Sequence, residues 1–463
     1  MKQNRREFLA AASCLGAVSM LGKGQAAEER RGGDTMLGFA APPLAKVRVA
    51  VAPGVDQPGS RLYRIPGVEI TALCAETADD LQFTKRSIER AKLPPPKEYI
   101  GADACRRMVD DGVADVFYNS AYGLNNNNTD ISVYAMDGKM HVVSAPPARC
   151  TVDDCWKLVE ASEKNKVHCT SGSFGYIYGE CALFALNVIR RGLLGDIVAC
   201  GGTFFKDYRR GLLEQKDMAR RMARWETRMA SKGVSCPWDV FAPLSRCLDL
   251  NRGDRLETLV AMPSGNSSLR AFAASNKDVV LSNRLVNDSC DMCATLLHTA
   301  KGRLVTLRHA LTLSCPWHTP TDIYGTKGVL TWGGTDGLKM TCDKVPGGDR
   351  TRRFFDDKLT KGMLEKLRHP LWKSTGEIGR KLGGHCGAGF ISDMYPIYCL
   401  RNGLPMGVDV YDFATWASLM ELTEKSARAG GQPVKVPDFT RGAWKSASPM
   451  PIEEVDVEKF LQA

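Results

Sequence analysis

From Lys46 to about residue 170, short apolar strands alternate with helical stretches, and this alternation narrows the fold more than any other feature. Val47–Val51, Val68–Cys74, Ala114–Tyr118 and Met140–Val143 read as strands. Ala78–Ala91 reads as a helix with Thr77 as N-cap, ended by Pro94-Pro95-Pro96, and Val152–Lys164 as a helix with Thr151 as N-cap and two acids in its first turn. Strands alternating with helices predict a parallel sheet wound by right-handed crossovers, a Rossmann-like domain over residues 46–170.

After about Ala199 the texture changes. Lys206 to Lys232 carries nine basic and four acidic residues and reads as a polar, mostly helical run with a solvated face. Ala294–Thr299, the turn Ala300-Lys301-Gly302 and Arg303–Leu311 read as a hairpin, and Val329–Trp332 as a further strand. A second α/β domain of α+β type with a mainly antiparallel sheet is therefore expected over residues 171–463. Residues 345–383 are basic and weakly patterned, expected as a surface insertion. Asp409–Arg428 returns to helix and is expected to pack back on the first domain. Two domains suit a chain of 463 residues.

The first residues, Met1-Lys-Gln-Asn-Arg5-Arg6-Glu-Phe8-Leu9, give a basic start, followed by an apolar stretch to Leu21 and small residues at Ala26-Ala27. This is read as a signal peptide over residues 1–27 followed by a linker over 28–45, and Arg5-Arg6 before Phe8-Leu9 resembles the twin-arginine signal, so a periplasmic or secreted location is expected. The leader carries Lys2, Arg5, Arg6 and Lys23 against Glu7, which is +3 of the total +10 and leaves about +7 on the mature chain. No later run is long and apolar enough for a membrane span, and nothing in the charge pattern asks for nucleic acid. A small carbohydrate or glycan is the expected partner, and a homo-oligomer is left open. Most of the sixteen cysteines sit inside apolar runs and read as small buried hydrophobes; Cys290 and Cys293 form one C-x-x-C spacing, which alone is a weak metal signal, so no metal is expected.

A dinucleotide loop uses one glycine for the tight turn, one for close approach of the diphosphate and one for helix–strand packing. Here the first strand runs into Ala52-Pro53-Gly54-Val55-Asp56-Gln57, where only the middle glycine, Gly54, stands. Asp56 places negative charge where a diphosphate would lie, and the second strand ends in Ala75, with Glu76 one residue late for a ribose acid. A strand–turn–helix of purely structural purpose accounts for this stretch equally well.

Later stretches carry a resemblance. Leu186-Asn-Val-Ile-Arg-Arg-Gly-Leu-Leu-Gly195-Asp196, Leu250-Asn-Arg-Gly-Asp-Arg255, Gly325-Thr-Lys-Gly328, Cys399-Leu-Arg-Asn-Gly-Leu-Pro405 with Asp409-Val-Tyr-Asp412, and Val436-Pro-Asp-Phe-Thr-Arg-Gly-Ala-Trp444 stand in order. Together they resemble the NAD-dependent α-N-acetylgalactosaminidases of glycoside hydrolase family 109, within the Gfo/Idh/MocA oxidoreductase superfamily. The resemblance implies a bound NAD and a cycle of oxidation, elimination, addition of water and reduction. Carried over position by position, it implies that Tyr178 is the acid/base and that Asp239, in Cys236-Pro-Trp-Asp239, stands where the family has a histidine base. It implies Arg224 and Trp317 as substrate-binding, and Gly54, Asn128 (in the run Asn125–Asn128) and Pro146 (in Ser144-Ala-Pro146) as facing the cofactor. The Glu-Asn pair before the tyrosine falls on Phe174 and Gly175; His385 matches a family histidine, and the aspartate after it is Gly389.

Each of these residues also has a plain structural reading. Tyr178 caps the core, Arg224 is one solvated cation of nine, Asp239 is a cap or turn residue, Trp317 is packing, and His309 and His318 are structural. Two functions follow: an exported, carbohydrate-directed member of the glycosidase family, or a catalytically inactive sugar-binding or scaffold paralogue without bound NAD.

Overall fold

A computed structural model describes residues 35–463 except 54–58, 121–127, 146, 148, 173–175, 210–225, 278, 336, 344–352, 457–459 and 461–463. The leader, the first part of the linker, Gly54, Asn125–Asn127, Pro146, Phe174, Gly175 and Arg224 lie outside the described residues.

The first domain runs β1 (Val47–Ala52), α1 (Gly59–Leu62), β2 (Val68–Ala75), α2 (Ala78–Arg90), β3 (Lys97–Ile100), α3 (Ala104–Asp110), β4 (Val116–Asn119), α4 (Asn128–Asp137), β5 (His141–Ser144), α5 (Val152–Asn165) and β6 (Cys169–Ser171). Its six strands are all parallel in the order β3-β2-β1-β4-β5-β6. The central strands read as unbroken apolar runs because helices cover both faces: all four residues of β4 are buried, as are five of six in β1. Helix α5 starts where the sequence places it, and Thr151 and Asp154 form a reciprocal capping box. Thr77 stands at the N-cap of α2, but its hydroxyl bonds the Asp80 side chain at 2.7 Å instead of a backbone amide. Strand β3 has no counterpart in the sequence reading. It is a short, charged edge strand in which only Tyr99 is buried, so it carries little apolar signal.

A 3₁₀ turn, Tyr176–Tyr178, and α6 (Glu180–Arg190) lead into the second domain: β7 (Ile197–Phe205), α7 (Pro237–Val240), α8 (Ala242–Cys247), β8 (Leu256–Pro263), α9 (Ser267–Ser275), α10 (Asn283–Asp288), β9 (Cys293–Thr299), β10 (Leu304–Ala310), β11 (Thr321–Gly325), β12 (Gly328–Gly334), β13 (Gly337–Cys342), α11 (Asp357–Lys366), α12 (Pro370–Leu382), α13 (Ala388–Asn402), α14 (Val410–Arg428) and β14 (Val434–Lys435). The eight strands follow the order β13-β12-β11-β7-β10-β9-β8-β14. The expected hairpin is β9–β10, with Leu304 opposite His298. The sheet is antiparallel except at its centre, where β10 pairs with β7 in parallel. Residues 345–383 differ from the expected surface insertion. They hold α11 and α12, and Leu371 and Trp372 of α12 are buried, with Trp372 Nε1 donating to the Tyr178 carbonyl at 2.6 Å.

Helix α14 packs along α5 of the first domain and against β8 of the second, and it is buried along most of its length. The motifs that carry the resemblance fasten this joint. Arg252 donates to Asp409 at 2.6 Å and to Asp412 at 2.9 and 2.8 Å, all three side chains being buried. Asp438 gathers the Thr440 and Gly442 amides and the Trp444 indole, Trp444 accepts from the Gly253 amide at 2.7 Å, and Arg441 reaches Glu163 of α5 at 2.9 Å.

Candidate functional site

In a doubly wound sheet the ligand crevice lies beyond the carboxyl ends of the strands where the strand order reverses, here between β1 and β4. Strand β4 ends there in Asn119, fully buried, whose Nδ2 donates to the Asn128 carbonyl at 3.1 Å and to Ser132 Oγ at 3.0 Å. Asn119 therefore fixes the start of α4 and with it Asn128, while its own Oδ1 is buried with no hydrogen-bond partner among the described residues. On the β1 side, α1 is a single helical turn. Arg61 of α1 pairs with Asp393 of α13 at 2.7 Å, and Tyr118 donates to the Asp393 carbonyl at 3.0 Å. Close to Arg61 runs the turn Gly384–Gly387, in which His385 and Cys386 hold φ of 44° and 56°, the left-handed region that residues other than glycine seldom adopt.

These described residues do not fit NAD well. A dinucleotide normally rests its diphosphate on the first turn of a long helix and its ribose on an acid at the end of the second strand. The described part of α1 is one turn, β2 ends in Ala75, and Glu76 is exposed.

Tyr178 closes the 3₁₀ turn that joins the two sheets, and it is 3% exposed. Its ring lies 5.9 Å from that of Tyr395 and 5.6 Å from the guanidinium carbon of Arg246. Arg246 donates to Glu453 at 2.7 Å, with both side chains buried. Burial, and then the charge of Glu453, push the Tyr178 phenol well above its usual range, so it keeps its proton. The plain expectation that Tyr178 caps the core with its hydroxyl at the surface does not hold, because the residue is enclosed.

The second cluster forms at the end of β7. Gly202 lets α7 lie against this strand: a Cβ there would come within 2.7 Å of the Val240 carbonyl oxygen. Asp239 thus sits in the first turn of α7, half-buried, behind the N-cap Cys236. Lys206, the first residue after β7, lies over Trp317 and within reach of the charge of Asp239. Its Nζ is 4.1 Å from the Trp317 ring centre and 4.9 Å from that of Tyr208. Burial lowers the Lys206 pKa and the charge of Asp239 opposes that shift. Trp317 is 56% exposed and is held beside the strand end by the Phe205–His318 bridge. Its ring is exposed, not enclosed in the core. His309 is buried beneath the cluster, its pKa lowered to about 3 by burial and then by Arg228, which agrees with a structural role.

Tyr178 and Asp239 thus lie on different elements and in different settings, one enclosed and one beside an open aromatic face. Lys206, Arg246 and Glu453 were not singled out in the sequence. For Lys206 a signal existed, a cation directly after the aromatic pair Phe204-Phe205 at the head of the basic run. Glu453 gave none, because its partner is 207 residues away. A cavity of about 130 Å³ between the loop after β5, residues 227–235 and α14 is lined by Arg149, Thr227, Ser235 and Glu424 and contains none of the carried-over residues.

Comparison with known proteins decides the ancestry. Residues 178–446 match the C-terminal domain of glycosyl hydrolase 109. The chain is 30% identical over 421 residues to glycosyl hydrolase family 109 protein 2 of Phocaeicola vulgatus, covering 89% of this chain and 98% of that protein. The chain belongs to glycoside hydrolase family 109. It is equally 30% identical over 420 residues to an α-N-acetylgalactosaminidase of Bacteroides fragilis, covering 89% of this chain and 96% of that enzyme. Among solved structures, an NAD-binding oxidoreductase of Klebsiella pneumoniae superposes with a TM-score of 0.62 at 13% identity, over 85% of this chain and 100% of that one. A levoglucosan dehydrogenase in complex with NADH gives 0.60 at 14% identity, over 85% and 99%. The two-domain α/β fold is therefore that of the Gfo/Idh/MocA oxidoreductases. Among the described residues of this family 109 chain, no helix is long and apolar enough to cross a membrane.

Proposed function

We propose that this family 109 chain is an exported, carbohydrate-directed glycosidase whose substrate is an α-N-acetylgalactosaminide. The observation that carries the reading is the exposed Trp317 ring, with the Lys206 ammonium over it and the charge of Asp239 acting on Lys206. A sugar ring offers C–H groups to an aromatic face and hydroxyls to charged neighbours, and pockets for such ligands combine an apolar wall with a few placed polar groups. The activity named for the Bacteroides fragilis relative supports the substrate class. In this reading Trp317 is the platform, Lys206 and Arg224 hold the oxygens, Asp239 accepts a proton and Tyr178 donates one. Burial keeps the Tyr178 phenol protonated near neutral pH, so donation is the role open to it, as a weaker acid than a free phenol; general acid–base help is typically worth about 10²–10⁴ in rate. The family implies NAD at Gly54, Asn128 and Pro146, where this chain would hold it loosely. Arg5-Arg6 supports export by the twin-arginine route.

Titration calorimetry with methyl N-acetyl-α-D-galactosaminide tests the sugar site. Trp317→Ala and Lys206→Met should each weaken binding about tenfold, a change of about 1.4 kcal/mol. Binding that is unchanged in Trp317→Ala would overturn the assignment.

A further inference from the structure

The cavity of about 130 Å³ at the joint of the two domains contains neither Tyr178 nor Asp239. Arg149 and Thr151 reach it from the first domain, Thr227 and Ser235 from the segment before α7, and Met420 and Glu424 from α14. One ordered water needs roughly 10–15 Å³, and an apolar cavity of about 150 Å³ accepts benzene, so this space suits a ligand with one small ring.

Two guanidiniums stand at this space without an acid. Arg149 Nη2 donates to the Ala230 carbonyl at 3.0 Å, and Arg284 Nη1 donates to Thr227 Oγ1 at 3.4 Å. Among the described residues neither arginine has a carboxylate within ion-pair distance. The carboxylates nearby are already engaged. Glu424 accepts from Ser231 Oγ at 2.6 Å, from the Lys232 amide at 2.8 Å and from Arg428 at 2.7 Å. Glu421 accepts from the Val152 amide at 2.6 Å, and Asp288 from Arg428 at 2.7 Å. Partial burial of its guanidinium and then the charge of Arg284 lower the Arg149 pKa, with Glu424 and Asp288 opposing, and a bound anion would relieve that repulsion.

Ser235 is an independent sign of a ligand. It is 3% exposed and lines the cavity, and its hydroxyl has no hydrogen-bond partner among the described residues. A buried hydroxyl left without a partner is costly, so a group that completes it gains by entering. The buried side chains of Cys150 and Met420 give the same cavity an apolar wall. An apolar wall with a few placed polar groups is the usual make-up of a small-molecule site.

We propose that this cavity binds a small organic carboxylate, whose oxygens meet Arg149 and the Ser235 hydroxyl and whose hydrocarbon body lies against Met420 and Cys150. A guanidinium matches a carboxylate through two parallel N–H···O bonds. The apolar wall favours an acid with a hydrocarbon body over inorganic phosphate, which presents only oxygen. A ligand held here touches both domains, and the site does not depend on Trp317 or Tyr178.

Titration calorimetry of the full-length protein with sodium benzoate tests the site. Benzoate should bind in the millimolar range or tighter. Benzyl alcohol, which keeps the ring and lacks the charge, and inorganic phosphate, which keeps charge and lacks the ring, should each bind at least about tenfold more weakly. Arg149→Met and Ser235→Ala should each weaken benzoate binding about tenfold, and Trp317→Ala should leave it unchanged. Arg149 is exposed and the Ser235 hydroxyl bonds nothing among the described residues, so both variants should fold. Failure of millimolar benzoate to bind the wild type overturns the site. Equal affinity for benzyl alcohol overturns the role of the charge, and equal affinity for phosphate overturns the role of the apolar wall. Benzoate binding that survives both Arg149→Met and Ser235→Ala, or that is lost in Trp317→Ala, places the ligand elsewhere and overturns the proposal.

Discussion

Gly389 shows how a single position couples the crevice to the packing around it. In this chain a Cβ at 389 would lie 3.0 Å from the Gly384 Cα, so the turn Gly384–Gly387 closes onto α13 only because both residues are glycine. The same economy of side chains runs through Ala75 and the described part of α1, where the described residues offer no acid for a ribose. Nucleotide extracted from freshly purified, denatured protein should therefore contain far less than one NAD per chain. Stoichiometric NAD would show that the loop at Gly54 holds the cofactor by contacts the surrounding residues do not suggest. Tyr178 and Asp239 were legible in the sequence as residue types at matched positions. What was not legible was their setting. That Tyr178 is enclosed depends on Glu453 and Tyr395, and that Asp239 has a cation beside it depends on a glycine in β7 that lets α7 approach.

At the scale of elements, strands with both faces covered announced themselves as apolar runs, and α5 through its capping box. Strand β3 and helices α11 and α12 did not. β3 is an edge with one buried side chain. α12 exposes most of its charges and buries Leu371, Trp372, Thr375 and two glycines, too sparse a face to stand out in a basic stretch. The stretches that disclosed the family turn out to be joints. Arg252, 7% exposed in its side chain, bridges Asp409 and Asp412 and so ties the start of α14 to the second sheet. Arg252→Ala would strand two carboxylates in the interior, and removing one partner of a buried ion pair costs about 3–5 kcal/mol. Urea unfolding should show this loss as a lowered midpoint with an unchanged slope. A midpoint equal to the wild type would mean that the joint is held by the apolar face of α14 alone.

At the scale of the molecule, two sheets meet across α5 and α14, and the chain crosses from one to the other through the turn that carries Tyr178. The alternation of strands and helices made the first sheet readable. The parallel pairing of β7 with β10 was not, because it joins strands about a hundred residues apart and no local pattern encodes it. With the acid of a glycosidase proposed at that crossing, the most direct test is the release of p-nitrophenol from p-nitrophenyl N-acetyl-α-D-galactosaminide by the wild type and by Tyr178→Phe. Loss of one oxygen should leave the urea midpoint nearly unchanged and reduce the rate by about 10²–10⁴. Robust release that survives Tyr178→Phe would contradict the account, because hydrolysis would then run through groups outside this site.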